Sequence, residues 1–131
     1  MVKFGYTILY VSDVAKSIAF YEKSFGFSRK FITPENDYGE LETGQTTISF
    51  ASLALANANL KNGFTVNDLE QKPFATELGF ITDNVHEILK TAEQNGAVIL
   101  EEPKQKPWGQ TVAYIRDIDG FLIEICTPVH Q

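Results

Sequence analysis

Residues 106–126 have the sequence KPWGQTVAYIRDIDGFLIEIC, in which two apolar-rich runs flank Asp117-Ile118-Asp119-Gly120. Both runs are rich in β-branched and aromatic residues, which favour strands. Asp and Gly tolerate the backbone angles of tight turns, so the segment predicts a β-hairpin. The second run carries one carboxylate, Glu124, among apolar neighbours, and such a side chain must either face water or act inside a pocket.

The composition of the chain limits the functions that it can have. The chain has 131 residues, which suits one domain or two very small fused modules. Its net charge of −6 and the lack of a basic cluster argue against nucleic acid as a partner. A single cysteine, Cys126, excludes an internal disulfide. No apolar run reaches membrane-spanning length and the opening residues do not resemble a signal peptide, so we expect a cytoplasmic protein without membrane contact.

The pattern of strands and helices occurs twice. The first set is predicted at residues 6–11, 14–25, 27–32, 38–42 and 46–51, with an N-cap at Ser12-Asp13 and a helix stop at Gly26. The second set begins at residue 77, has a capping box at Asn84 and Glu87, and ends with the hairpin. A connection with one short helical piece separates them, so the repetition predicts two modules, residues 1–70 and 71–131.

Three parts of this pattern carry a family resemblance. They are YVSD, FYE and FGF within residues 10–27; FITDNV and NGA within residues 80–97; and DIDGFLIEI at residues 117–125. In this order and at these spacings the chain resembles the vicinal oxygen chelate superfamily, which contains glyoxalase I, extradiol dioxygenases and bleomycin-resistance proteins. The likeness covers nearly the whole chain and is closest to the bleomycin-resistance-like members.

The resemblance implies an α+β fold. Tandem βαβββ modules would form a cupped, barrel-like mixed sheet with the helices outside. In this family the ligand cavity forms either within one chain or across a dimer, and we expect a homodimer.

The resemblance also implies where a metal would bind. Metal-using members draw four ligands, typically His and Glu, from equivalent strands of the two modules. The corresponding positions here are Tyr6, Ser49, Glu77 and Glu124. Only Glu124 is the usual type, and neither His86 nor His130, in the tail, supplies the missing imidazoles, which zinc and iron prefer. We therefore expect no tightly bound metal, with a weakly held divalent ion at Glu77 and Glu124 as the alternative.

Side chains alternate along a strand, so Glu77 and Glu124 are predicted to face one apolar and aromatic cavity. Two carboxylates there cannot comfortably both ionise, so without a cation at least one should have a raised pKa. A cationic ligand, a metal, or a proton-transfer role for one acid would each resolve this, and the sequence leaves the three open. Trp108, between Pro107 and Gly109, could stack on a planar or cationic ligand or cover the core.

We therefore predict a protein that binds a small organic molecule, cationic or aromatic, in an inter-module cavity. The predicted ligand-binding residues are Tyr6, Ser49, Glu77, Trp108, Tyr114 and Glu124. The alternative is a metal-dependent glyoxalase-type lyase or isomerase, or a dioxygenase-related enzyme, with Glu77 and Glu124 as catalytic groups. The identity of the ligand is not set by the sequence.

Overall fold

A computed structural model describes residues 1–129, which form an α+β protein with two four-stranded mixed sheets. The chain divides into two compact units, Met1–Val66 and a second that begins at Asn67. Each contains the predicted order βαβββ. His130, in the predicted tail, lies outside the described residues. No helix within residues 1–129 is long and apolar enough to cross a membrane.

The first unit has one sheet and two helices. Its elements are β1 (Thr7–Val11), α1 (Val14–Phe25), β2 (Ser28–Ile32), β3 (Tyr38–Glu42), β4 (Thr47–Ser52) and α2 (Leu53–Asn59). The strand order is β1-β4-β3-β2, with β1 parallel to β4 and the other pairs antiparallel. The expected short helical piece is α2, which begins after Ser52, whose hydroxyl accepts a hydrogen bond from Leu55 N at 3.1 Å.

The two signals predicted at the ends of α1 are confirmed. Asp13 Oδ1 accepts from Lys16 N at 3.2 Å, which satisfies one of the free N–H groups of the first turn. Gly26 follows the helix with a φ of +75°, a left-handed conformation that glycine adopts without steric cost. Between these ends Ile18 and Tyr21 are fully buried against the first sheet.

The second unit repeats the topology. Its elements are β5 (Glu77–Ile81), α3 (Val85–Gln94), β6 (Val98–Gln105), β7 (Thr111–Arg116) and β8 (Leu122–Cys126). The strand order is β5-β8-β7-β6, again with one parallel pair, β5 and β8. Each sheet is open, with an edge strand on both sides, so neither unit by itself closes into the barrel-like form that the resemblance implied.

The start of α3 differs from the prediction. The side chain of Asn84 makes no capping hydrogen bond, so the expected capping box with Glu87 is wrong. Instead, the backbone N–H of Asn84 donates to Thr82 Oγ1 at 3.1 Å. The sequence pattern was present, but Asn84 has a φ of −121° and a ψ of 60°, which differs from the extended conformation of a typical N-cap.

One face of the second sheet is covered by α3. The helix buries Val85, Leu89 and Ala92, and the sheet buries Ile123 and Ile125. Since side chains alternate along a strand, Glu124, which lies between these isoleucines, points to the opposite face. That opposite face carries the polar groups described below.

The predicted hairpin is confirmed between β7 and β8. Asp117 Oδ1 accepts from Asp119 N and from Phe121 N, both at 2.9 Å, and Gly120 has a φ of +95°. These contacts explain the Asp and Gly residues of the turn, because the carboxylate replaces missing backbone partners and glycine tolerates the left-handed conformation.

A buried arginine attaches the beginning of the second unit to this hairpin. Arg116 is 5% exposed. Its Nε donates to the carbonyl of Gly120 at 2.8 Å, while Nη2 donates to Asp68 O at 2.8 Å and Nη1 to Gln71 O at 2.6 Å. The guanidinium therefore donates hydrogen bonds to carbonyls of two segments that are distant in sequence. One segment includes residue 68, which precedes the module boundary predicted at residue 70.

Candidate functional site

The candidate site lies on the face of the second sheet that α3 leaves uncovered. Strand register places Gly79, Glu124, Tyr114 and Glu101 side by side across β5, β8, β7 and β6. An acid, a phenol and a second acid thus occupy adjacent positions on one row. These polar side chains lie across the middle of a sheet whose other face is apolar.

At the centre of the row, the Tyr114 hydroxyl donates to Glu124 Oε1 at 3.1 Å. Burial raises the pKa of Tyr114 to about 12, with further contributions from its bond to Glu124 and from the charges of Glu124 and Glu77. The phenol therefore stays protonated at neutral pH and acts as a hydrogen-bond donor. On the other side, a Cβ at Gly79 would lie 3.8 Å from Glu124 Oε2, so the bare backbone leaves room beside the carboxylate.

Glu77, a further acid on the same face, pairs in register with Leu122 and lies two residues before Gly79. Partial burial and the charge of Glu124 raise the pKa of Glu77 above its ordinary value. The expectation that one of the two acids has a raised pKa is therefore confirmed. Glu77 is exposed and Glu124 is half-buried in this structure, and the prediction that both face one inter-module cavity stays a prediction. Glu77 lies on β5, an edge strand, which explains its exposure.

Cys126, next on the same face of β8, is buried, as expected for a small hydrophobic residue. Its thiol donates to Phe80 O at 3.7 Å. Burial raises the pKa of Cys126, and the charges of Glu124 and Glu77 raise it further.

These contacts make Cys126 a reporter of the charge on Glu124. Glu124→Gln removes a negative charge beside the thiol, so we expect its pKa to fall and its alkylation by iodoacetamide at pH 8 to become several-fold faster. Glu93→Gln on α3 serves as the matched control and should leave the rate unchanged. Equal rates in wild type and Glu124→Gln would contradict the arrangement described.

Trp108 lies on the turn between β6 and β7 and is 63% exposed. Its Nε1 donates to Gln110 Oε1 at 2.7 Å, and Gln110 Nε2 donates in turn to Thr127 O at 2.8 Å. The indole is thus exposed but held by two consecutive hydrogen bonds. A large aromatic surface fixed in this way can contact a ligand with little loss of side-chain entropy.

The two predicted site residues of the first unit lie in different environments. Tyr6 directly precedes β1 and is 52% exposed. Ser49, in the middle of β4, is fully buried, and its hydroxyl has no hydrogen-bond partner among the described residues. Ser49 therefore offers no exposed atom to a ligand in this structure.

Comparisons with known proteins agree with the fold. Residues 3–125 match the family described as the Glyoxalase/Bleomycin resistance protein/Dioxygenase superfamily. The chain belongs to this superfamily. The match covers both units, so each βαβββ repeat is part of the family pattern.

Two relatives by sequence and one solved structure are similar to this glyoxalase-superfamily protein. One from Vibrio cholerae, named "Probable lactoylglutathione lyase", is 25% identical over 122 residues, which cover 92% of this chain and 86% of that protein. A virulence protein of Salmonella typhimurium is 29% identical over 127 residues, or 94% and 82% of the two chains. A glyoxalase-related enzyme from Fulvimarina pelagi has a similar structure, with a TM-score of 0.81, 18% identity, and coverage of 98% and 89%.

Members of this superfamily often use metals, so the donor atoms near Glu124 decide whether a metal would fit. Among residues 1–129 no three His, Cys, Asp or Glu side chains are grouped as they would be around a metal ion. Tyr114 and Glu77, beside Glu124, are oxygen donors, and His86 lies on α3, which packs against the opposite face. The thiol of Cys126 also lies near Glu124, but it is buried and donates to Phe80 O. One buried thiol among oxygen donors does not fit a zinc or iron centre, which prefers several nitrogen or sulfur ligands.

Sequence reasoning missed a polar pair in the first unit. The Tyr38 hydroxyl donates to Glu40 Oε2 at 2.7 Å, and Lys30 Nζ lies 3.7 Å from Glu40 Oε1. Burial raises the pKa of Tyr38, and its hydrogen bond to Glu40 and the charge of Glu40 raise it further. Glu40 pairs in register with Ser49, just as Tyr114 pairs with Glu124. Counting the register back from Ser49 through the hairpin would have placed Glu40 opposite Ser49 in the sheet.

Proposed function

We propose that this protein binds a small organic cation on the uncovered face of the second sheet, between Glu77 and Glu124, without a tightly held metal. One observation carries the proposal: Glu77 and Glu124 lie on the same face of the neighbouring strands β5 and β8. Burial and the charge of Glu124 accordingly raise the pKa of Glu77. A cation between two carboxylates that repel each other in a partly desolvated place lowers their electrostatic free energy. A cationic ligand therefore lowers the free energy of the site where a neutral ligand does not.

Two aromatic side chains of the second unit, Tyr114 beside Glu124 and Trp108 on the turn between β6 and β7, support an organic cation with an aromatic part. Tyr114 remains a phenol and adds a ring beside Glu124. Trp108 presents a fixed indole, and cations and planar rings both bind favourably over indole. Sequestration of a cationic drug, as the bleomycin-resistance part of the family description suggests, is one use of such a surface.

Paired probes test this proposal. Benzylammonium and benzyl alcohol have similar size and the same ring but differ in charge. We expect benzylammonium to bind at least ~10-fold more tightly in isothermal titration calorimetry, because only it interacts favourably with the carboxylates. Its affinity should increase as the pH rises through the raised pKa of Glu77, since deprotonation creates the second negative charge. Equal affinity for the two probes would contradict the proposal.

A second candidate function is a lyase or isomerase of the glyoxalase type. The observation that favours it is also the raised pKa of Glu77, because an acid with a shifted pKa beside another acid is a common pattern in proton transfer. The name of the Vibrio cholerae relative suggests the glutathione hemithioacetal of methylglyoxal as the substrate to test. Turnover that Glu77→Gln abolishes while benzylammonium binding persists would favour the enzyme over the binding protein.

A further inference from the structure

A groove lies beside the carboxylate site, along β6 and β7. Its volume is about 330 Å³, within the range of small-molecule sites. Its lining residues are Glu101, Glu102, Lys104, Lys106, Val112 and Tyr114. Since Tyr114 also donates to Glu124, one side chain forms part of both the groove and the carboxylate site.

The shape of the groove follows from an irregular β6. Glu101 pairs with Tyr114 and Lys104 with Val112, so three steps along β6 match two along β7. The extra residue is a bulge, which leaves both Glu101 and Lys104 opposite residues of the uncovered face. Lys104 thereby lies next to the row that contains Glu124 and Tyr114.

The two lysines of the groove carry positive charges that the described residues do not neutralise directly. No carboxylate among residues 1–129 lies within 4.0 Å of Lys104 Nζ or Lys106 Nζ, although Glu101 and Glu102 line the same groove. Lys106 is also fixed at its backbone, because its N–H donates to Gln110 O at 2.8 Å. An anionic group that enters the groove therefore finds two ammonium groups available to it.

From this juxtaposition we infer that the ligand is amphoteric, with its cationic end at Glu77 and Glu124 and an anionic group, such as a carboxylate, at Lys104 and Lys106. This inference rests on the proposed function. Glu124 and Lys104 lie on strands two positions apart in the sheet, so their backbones are separated by roughly 10 Å or slightly more. The ligand's two charges are correspondingly separated by several ångströms, bridged by an apolar chain along Val112 and Tyr114.

Three six-carbon probes test the inference on the full chain: 6-aminohexanoate, hexylammonium and hexanoate. We expect 6-aminohexanoate to bind ~10-fold more tightly than hexylammonium in NMR titrations, and hexanoate to bind weakest. Lys104→Met/Lys106→Met should remove the advantage of 6-aminohexanoate and leave hexylammonium binding unchanged. Lys90→Met, on the exposed side of α3, is the matched control and should preserve the advantage.

The outcomes separate this inference from the function on which it rests. If hexylammonium binds as tightly as 6-aminohexanoate, the anionic subsite is overturned while cation binding stands. If the advantage persists in the double lysine variant, the anionic group lies elsewhere and the inference is again overturned. If neither amine binds, the proposed function fails and the inference fails with it. Circular dichroism of the double variant confirms that its fold is retained.

Discussion

Gly120→Ala is expected to destabilise the protein by about 3 kcal/mol, against about 1 kcal/mol for Gly109→Ala. Both glycines have a φ of +95°, so the backbone strain of an alanine is similar at the two positions. They differ in their surroundings. A Cβ at Gly120 would lie 2.8 Å from Arg116 Nη2 and 2.9 Å from the carbonyl carbon of Asp68, whereas nothing lies within 4 Å at Gly109.

The difference arises from the buried Arg116, which needs the space beside Gly120 to reach its carbonyl partners. An alanine there would push the guanidinium or the backbone of Asp68 away and leave N–H groups of the buried guanidinium without acceptors, which costs about 1–3 kcal/mol. Urea unfolding of the two variants measures both costs, and an unchanged m-value would show that the same transition is compared. Equal destabilisation of the two variants would show that Arg116 does not hold this segment as described.

Glu124→Gln is expected to weaken the binding of benzylammonium by roughly 10- to 100-fold, because a hydrogen bond or ion pair to a charged group contributes about 1.5–3 kcal/mol. Glutamine has nearly the same shape and its carbonyl oxygen can still accept from Tyr114, so the substitution removes charge with little change in packing. Glu77→Gln should have a smaller effect, because Glu77 is exposed and water screens its charge.

Isothermal titration calorimetry at pH 7 provides the measurement for these variants. Glu93→Gln, which removes an exposed acid from α3 on the other side of the sheet, controls for the change in net charge. If Glu93→Gln weakens binding as much as Glu124→Gln, the effect comes from the overall charge of the protein and not from the site. Thermal melting of each variant separates a loss of binding from a loss of fold.

Local patterns predicted most of the fold. The hairpin after Arg116, the N-cap at Asp13 and the stop at Gly26 depend on residues near one another in sequence, and all three are confirmed. The capping box at Asn84 failed although its sequence signal was equally local, because the backbone at that residue does not take the capping conformation.

The site was predictable only in part. Glu124 was identifiable because an acid inside an apolar strand is unusual. Tyr114 was among the predicted ligand-binding residues, but its pairing with Glu124 was not predicted. The exposure of Glu77 was not predictable, because it depends on the position of β5 at the edge of the sheet. That position is a property of the strand order. Two partners of Arg116, the carbonyls of Gln71 and Asp68, lie 45 and 48 residues away in sequence, and no local pattern indicates such contacts.

Titration of the Glu77 carboxyl group, followed by NMR of ¹³C-labelled protein with and without benzylammonium, tests the proposed site most directly. In the free protein we predict that Glu77 titrates above the ordinary value of 4.5, because of partial burial and the charge of Glu124. Bound benzylammonium should lower this pKa, since a cation favours the ionised carboxylate. A pKa of Glu77 that is ordinary in the free protein and does not move when benzylammonium is added would contradict the account.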